Sequence, residues 1–163
     1  MPAPGYKDIF GGGRVRIYAD SSFLVSCLYP ADLHHAPARS FFRQYASAEW
    51  LTTEWSQFET ANSLRQLCLA SRGPKPMVVE SIRRLFKHWH TRGPFQLADT
   101  EMSEAIQECQ QLSAAHAAAL RMRSADVLHV ALLEQIVPDL FVTRDADQFA
   151  LATQRAFPAQ LVA

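Results

Sequence analysis

Short apolar runs alternate with longer stretches in which apolar residues recur every three or four positions. The short runs predict buried strands, and the wider spacing predicts helices with one inward face. Val15 to Ala19 reads as a first strand, and Asp20, Ser21 and Ser22 supply capping residues for a helix that starts near Phe23 and closes at Pro30. A second helix is predicted from about Pro37 to Ala46, with Phe41, Phe42 and Tyr45 turned inward, before a strand over Trp50 to Thr53. From Glu54 to Ala70, the residues Trp55, Phe58, Ala61, Leu64, Leu67 and Cys68 fall on one helical face. Arg72-Gly73-Pro74-Lys75-Pro76 breaks the chain before a basic amphipathic helix, Met77 to His90, which Gly93-Pro94 ends.

Phe95 to Ala98 forms a third short strand, followed from Asp99 or Thr100 by an Ala-rich helix reaching about Leu120. Ser124 caps a helix over Ala125 to Ile136, and Leu140 to Thr143 is a strand. A short helix over Ala146 to Thr153 and a last strand over Gln160 to Val162 complete the pattern. Strands alternating with helices predict an α/β domain: a Rossmann-like three-layer arrangement with a short, mostly parallel central sheet flanked by helices. Residues 1–14, with Pro2, Pro4 and Gly11 to Gly13, are expected to be a flexible leader, and residues 15–163 a single domain.

Composition narrows the class. A chain of 163 residues, 48% apolar and 20% charged, is long enough for one domain that buries about two-thirds of its unfolded surface. Formal charge is zero, so any binding of nucleic acid rests on a local patch. Cys27, Cys68 and Cys109 are far apart and lack metal-ligand spacing, which reads as small apolar residues in a reducing compartment. No apolar run approaches the roughly 18 residues of a membrane span, and the expected location is the cytoplasm.

Four acids stand out against that background. Asp20 and Asp145 each follow a strand, at the edge where open parallel sheets gather ligands. Glu59 shares a helix face with Asn62, as Asp126 does with His129. Taken singly, Asp20 and Asp145 read equally well as helix caps, Glu59 as a solvated edge and Asp126 as a partner of its helix dipole. Together at roughly 5 Å spacings, each pair would repel by about 3 kcal/mol at an effective dielectric near 20. Such a cluster calls for bound cations or raised pKa values, and hard oxygen donors favour Mg2+ or Mn2+ over zinc. Held there, a divalent ion can activate water for in-line attack on a phosphodiester. Asp20, Glu59, Asp126 and Asp145 are the expected ligands, direct or through water. Ser21 or Ser22 and Thr143 would orient a bound water or phosphate, and Asn62 would donate within the shell.

The ordered set of segments resembles the PIN-domain family, in particular the VapC-type toxins of type II toxin–antitoxin pairs, from about Arg16 to Leu161. The matching residues are Asp20, Ser21 and Ser22; Glu59 with Asn62; Ala125, Asp126, Leu128, His129 and Ala131; and Thr143, Asp145, Asp147 and Phe149. The resemblance implies a PIN-like fold and a Mg2+- or Mn2+-dependent endoribonuclease acting on single-stranded RNA. It adds Asp147 as an outer metal ligand and a cognate antitoxin as partner, and a homodimer is expected.

Arg144, Arg121 and Arg123 flank the acids and are expected to contact the RNA backbone, with Arg65, Arg72 and Lys75 as candidates for a wider groove. Arg83, Arg84 and Lys87 read as a solvated face, His129 as a residue packed on the sheet, and the tryptophans as core. A phosphoacceptor receiver domain would want paired acids after the first strand and a Lys after the last; Ala19 precedes Asp20, and no Lys follows Lys87. A non-catalytic PIN-like interaction module is disfavoured by the presence of all four acids. A PIN-type nuclease acting in RNA maturation or on structured DNA stays open.

Overall fold

A computed structural model describes residues 14–71, 73–116 and 122–163. The expected leader therefore lies, but for Arg14, outside the described residues, as do Arg72 and Arg121. Five strands form one sheet: β1 (Arg16–Ala19), β2 (Glu49–Thr52), β3 (Phe95–Leu97), β4 (Leu140–Thr143) and β5 (Ala159–Leu161). Their order is β3-β2-β1-β4-β5, and every pairing is parallel. This is the parallel α/β architecture anticipated from the alternation of runs.

The period-two geometry of the strands divides the core into two layers. Ile17, Ala19, Trp50, Leu140 and Val142 point to one face, where α1 (Ser21–Leu28), α2 (His35–Gln44), α3 (Glu54–Leu67) and α4 (Pro76–Thr91) cover them. Tyr18, Leu51 and Phe141 point to the other, under α5 (Met102–His116), α6 (Ser124–Ile136) and α7 (Ala146–Gln154). Burial on both faces is why β1 and β4 read as continuous apolar runs. No helix among the described residues is long and apolar enough to cross a membrane.

The break before α4 and its end fall where the Gly and Pro residues predict. A Cβ on Gly93 would lie 2.6 Å from the Cα of Trp89, so only glycine lets the chain turn back so tightly after α4. The inward face of α3 differs from the sequence expectation. Ser56, Thr60 and Leu64 are buried, whereas Phe58 is 62% exposed. The reason is local: Thr53 and Ser56 form a capping box at the polar end of the sheet, which turns the hydroxyl-bearing stripe of α3 inward. Ser124 is the first residue of α6 rather than its cap, with Arg123 at the capping position.

Trp50 is the centre of the α1–α4 layer. It is fully buried, stacks on Phe23 with ring centroids 5.6 Å apart, packs against Phe42 and Phe95 with centroids at 4.9 and 5.9 Å, and donates its indole N–H to the Tyr45 carbonyl. Trp50→Ala is expected to cost about 3–5 kcal/mol, through lost burial, the cavity and the stranded carbonyl. Urea unfolding of the variant beside wild type measures this, and a loss below about 1 kcal/mol would mean the neighbours refill the space.

Candidate functional site

The strand order reverses between β1 and β4: the chain steps outward to β2 and β3 on one side, then returns to β4 and β5 on the other. In open parallel sheets the crevice at such a reversal, beyond the carboxyl ends of the strands, is where ligands bind. Asp20 follows β1 at that point, tied to β4 by its backbone N–H on the Val142 carbonyl at 3.1 Å. Its side chain is fully buried. Oδ1 accepts the Phe23 N–H at 2.8 Å as the cap of α1, and Oδ2 accepts the hydroxyls of Ser22 at 2.7 Å and Thr143 at 2.8 Å. Burial nevertheless dominates and pushes the Asp20 carboxyl above its usual range, against the charge of His129 and these donors.

From Asp20 the polar network crosses to the other layer. Thr143 Oγ1 also accepts the Asp145 N–H at 2.9 Å and lies 3.4 Å from the Gln148 amide oxygen. Gln148, only 2% exposed, directs its amide nitrogen to Asp126 Oδ1 at 3.4 Å. Asp126 Oδ2 in turn accepts the Arg123 N–H at the start of α6. Asp20 and Asp126, 106 residues apart by number (126 − 20), are thus joined through a hydroxyl and an amide.

Glu59 enters from α3 on the other side. Its Oε2 accepts the Ser21 hydroxyl at 2.5 Å and His129 Nε2 at 2.7 Å. Partial burial would raise its pKa, yet the hydrogen bond and charge of His129, the Ser21 hydroxyl and the Arg123 charge outweigh that and hold it below the usual range. His129 is fully buried, in keeping with a residue set against the sheet, and its Nδ1 lies 2.8 Å from the Tyr18 hydroxyl.

The remaining expected residues scatter. Asp145 caps α7, its Oδ1 accepting the Gln148 N–H at 2.8 Å, so it sits at the rim with a structural bond already made. Asp147 is exposed on the first turn of α7. Asn62, one turn further along the same face of α3 as Glu59, accepts from Arg65 rather than bonding to Glu59. Arg144 does not project along an open phosphate path. Its guanidinium turns to the Ser26 hydroxyl at 2.7 Å and the Asp32 carboxylate at 3.5 Å, while its backbone N–H holds Ser22. Arg123 is exposed beside Glu59, close enough for its charge to depress that carboxyl, and is the arginine at the mouth of the site. Tyr18, Gln148, Ser26 and Asp32 belong to the network, and the linear pattern had singled out none of them. Gln148 alone left a trace, as a polar residue three positions beyond a capping acid.

Among the described residues, no three His, Cys, Asp or Glu side chains are grouped closely enough to hold an ion between them. That excludes the closed four-ligand cage of structural zinc. Mg2+ makes a different demand: it keeps several waters and takes one or two carboxylates. Asp20 and Glu59, with Asp145 linked to Asp20 through Thr143 and Asp126 through Thr143 and Gln148, fit that description. The donor set is all oxygen, since the His129 nitrogen nearest the site is committed to Glu59.

No family model matches the sequence, and no curated protein matches it. Solved structures do share the fold. One is VapC20 of Mycobacterium tuberculosis, a Sarcin-Ricin loop cleaving toxin, with a TM-score of 0.61 at 16% identity over 82% of this chain and 93% of that one. Another is FitAcB from Neisseria gonorrhoeae, with a TM-score of 0.54 at 13% identity over 88% and 95% of the two chains. The fold is that of VapC-type PIN-domain proteins.

The strain on Asp20 is measurable without any substrate. Its folded pKa lies above the unfolded value of 3.8, so the stability it contributes is complete below that value and is lost as pH rises through the folded one. Asp20→Asn, in EDTA, should therefore melt above wild type at neutral pH, by about 2–4 °C per kcal/mol relieved. The difference should close as pH falls toward 4, the ordinary carboxylate range. A variant that melts below wild type at neutral pH would show that the hydrogen bonds to Asp20 outweigh its desolvation.

Proposed function

We propose that this chain is a Mg2+- or Mn2+-dependent endoribonuclease that cleaves single-stranded RNA, and that it is the toxin of a toxin–antitoxin pair. One observation carries the reading. A buried acid at the strand-order reversal, Asp20, is wired through Thr143 and Gln148 to Asp126 and sits across Ser21 from Glu59. VapC20, which shares the fold, is a Sarcin-Ricin loop cleaving toxin, and that likeness supports the substrate class.

Asp20 and Glu59 would hold the ion, with Asp126 and Asp145 acting through water and Asp147 reaching it only from the outer rim. When bound, the ion supplies a polarised water and positive charge for the scissile phosphate. The chain supplies rigidity. Asp20 is pinned by a backbone N–H and two hydroxyls, and Glu59 by Ser21 and His129, so neither carboxylate has to reorganise as charge develops. Ser22 and Thr143 spend their hydroxyl hydrogens on Asp20 and act by fixing that acid rather than by binding phosphate directly. Arg123 stands at the entrance to meet the phosphodiester backbone. A cognate antitoxin and a second copy of the chain are the expected protein partners, the first to restrain the activity.

Purified protein should cut single-stranded RNA in millimolar Mg2+ or Mn2+ and stop in EDTA. Asp20→Asn should lower the rate by about 10²–10³-fold, the scale of removing one preorganised electrostatic group, while still folding. Retention of cleavage by that variant, or cleavage of flap DNA in preference to RNA, would refute the reading.

Arg123→Ala, measured on the Asp20→Asn background so that RNA stays whole, should weaken binding. The log–log dependence of affinity on salt should flatten by about 0.7, the value for one lost phosphate contact on a single strand. An unchanged slope would place the RNA path elsewhere on the rim.

A further inference from the structure

Behind Glu59 lies a buried chain of polar groups of which the proposed chemistry uses only the first, His129. Tyr18 on β1, Thr53 at the start of α3 and His129 on α6 are each 0% exposed. Tyr18 Oη lies 2.8 Å from His129 Nδ1 and 3.3 Å from Thr53 Oγ1, and His129 Nε2 lies 2.7 Å from Glu59 Oε2. Both ring nitrogens of a buried histidine are therefore committed, one inward and one toward the site.

The donors in this chain can be assigned by elimination. An ionised carboxylate only accepts, and Glu59 Oε2 already accepts the Ser21 hydroxyl, so His129 Nε2 must carry a hydrogen. Burial keeps the Tyr18 phenol protonated far above neutral pH. In the neutral imidazole Nδ1 is then bare and is the nearest acceptor for the Tyr18 O–H, while the Thr53 hydroxyl, capping α3 through the Ser56 N–H, turns its own hydrogen to Tyr18. Every hydrogen in the sequence Thr53, Tyr18, His129, Glu59 points the same way, toward the site.

We propose that Tyr18 and His129 are positioning residues: the Tyr18 hydroxyl selects the His129 tautomer with hydrogen on Nε2, and that N–H pins one oxygen of Glu59 so that only the other faces the site. Among the described residues Oε1 of Glu59 accepts no hydrogen bond, in contrast to Oε2 with two. Glu59 is thereby presented as a one-oxygen ligand in a fixed orientation. A histidine supporting a ligating group through a hydrogen bond, itself oriented by a further residue, is the arrangement that outer-shell partners adopt around metal sites. The inference rests on the nuclease reading for its effect on rate, and stands apart from it for its effect on His129 itself.

The test uses the full chain. Nitrogen-15 NMR of metal-free wild type at neutral pH should show His129 protonated on Nε2 and bare at Nδ1, and Tyr18→Phe should mix in the other tautomer. Mn2+ titration should show affinity about 10- to 100-fold weaker in Tyr18→Phe and His129→Asn. His129→Gln, whose amide can reach Glu59 from the Nε2 position, should recover part of it. On RNA, kcat should fall by a similar factor with KM unchanged, since neither residue meets the strand. Hydrogen on Nδ1 in wild type, or Mn2+ affinity and kcat indifferent to both substitutions, would overturn the proposal. If wild type cuts no RNA, the functional reading fails, while the NMR and Mn2+ results still decide the relay. Circular dichroism of the Tyr18→Phe protein, which loses one oxygen only, separates misfolding from loss of orientation.

Discussion

A fully buried carboxylate at the junction of β1 and β4 sets the terms for the rest of the site. Asp20 is desolvated by the same layers that stabilise the sheet, and an ion in such a place is tolerated only with donors aimed at it. The fold supplies them from both neighbouring segments: the first turn of α1 gives the Phe23 N–H and the Ser22 hydroxyl, and the end of β4 gives Thr143. Thr143 in turn orders Asp145 and approaches Gln148, and Gln148 reaches Asp126. The need to accommodate one charge thus propagates into the positions of three further polar groups on two other helices. Residual strain in the acid is what a cation would relieve.

Much of this was legible in the linear pattern, and for an identifiable reason. An apolar run ending in an acid, as at Ala19-Asp20 and Thr143-Arg144-Asp145, marks a buried strand emerging at a polar edge. The alternation of such runs with helices fixed a parallel sheet, because parallel neighbours need crossovers. Pairing between distant residues was not legible. Tyr18 and His129 are 111 positions apart, and Arg144 and Asp32 are 112 apart. An arginine beside two site residues looked free for phosphate, since nothing local revealed that the turn after α1 would bring Asp32 beneath it. Helical spacing also fails to say which of two candidate stripes faces the sheet. On α3 the stripe with Thr60 won over the one with Phe58, and Asn62 was drawn to Arg65, one turn further along its own helix.

The two halves of the site differ in character. Around Asp20 one backbone N–H and two short hydroxyl side chains make the bonds, all from segments that abut the sheet edge, the first turn of α1 and the end of β4. Around Glu59 the orientation depends on side chains, Ser21 and His129, the latter anchored in the α5–α7 layer. A change in how α6 seats on the sheet would therefore move Glu59 while leaving Asp20 in place.

Asp20 and Thr143 are 123 residues apart, and β1 meets its second neighbour only when β4 has been made. During synthesis the polypeptide emerges with Asp20 early and Thr143 late. At about 5–20 residues per second, some 6–25 s separate the two. Throughout that interval the edge of β1 is unpaired on one side and the acid lacks half of its hydroxyl partners. The growing chain consequently carries no completed Asp20–Thr143 pair until synthesis has passed β4. Whatever chemistry the folded protein performs waits on β4, the strand that completes the cradle of Asp20.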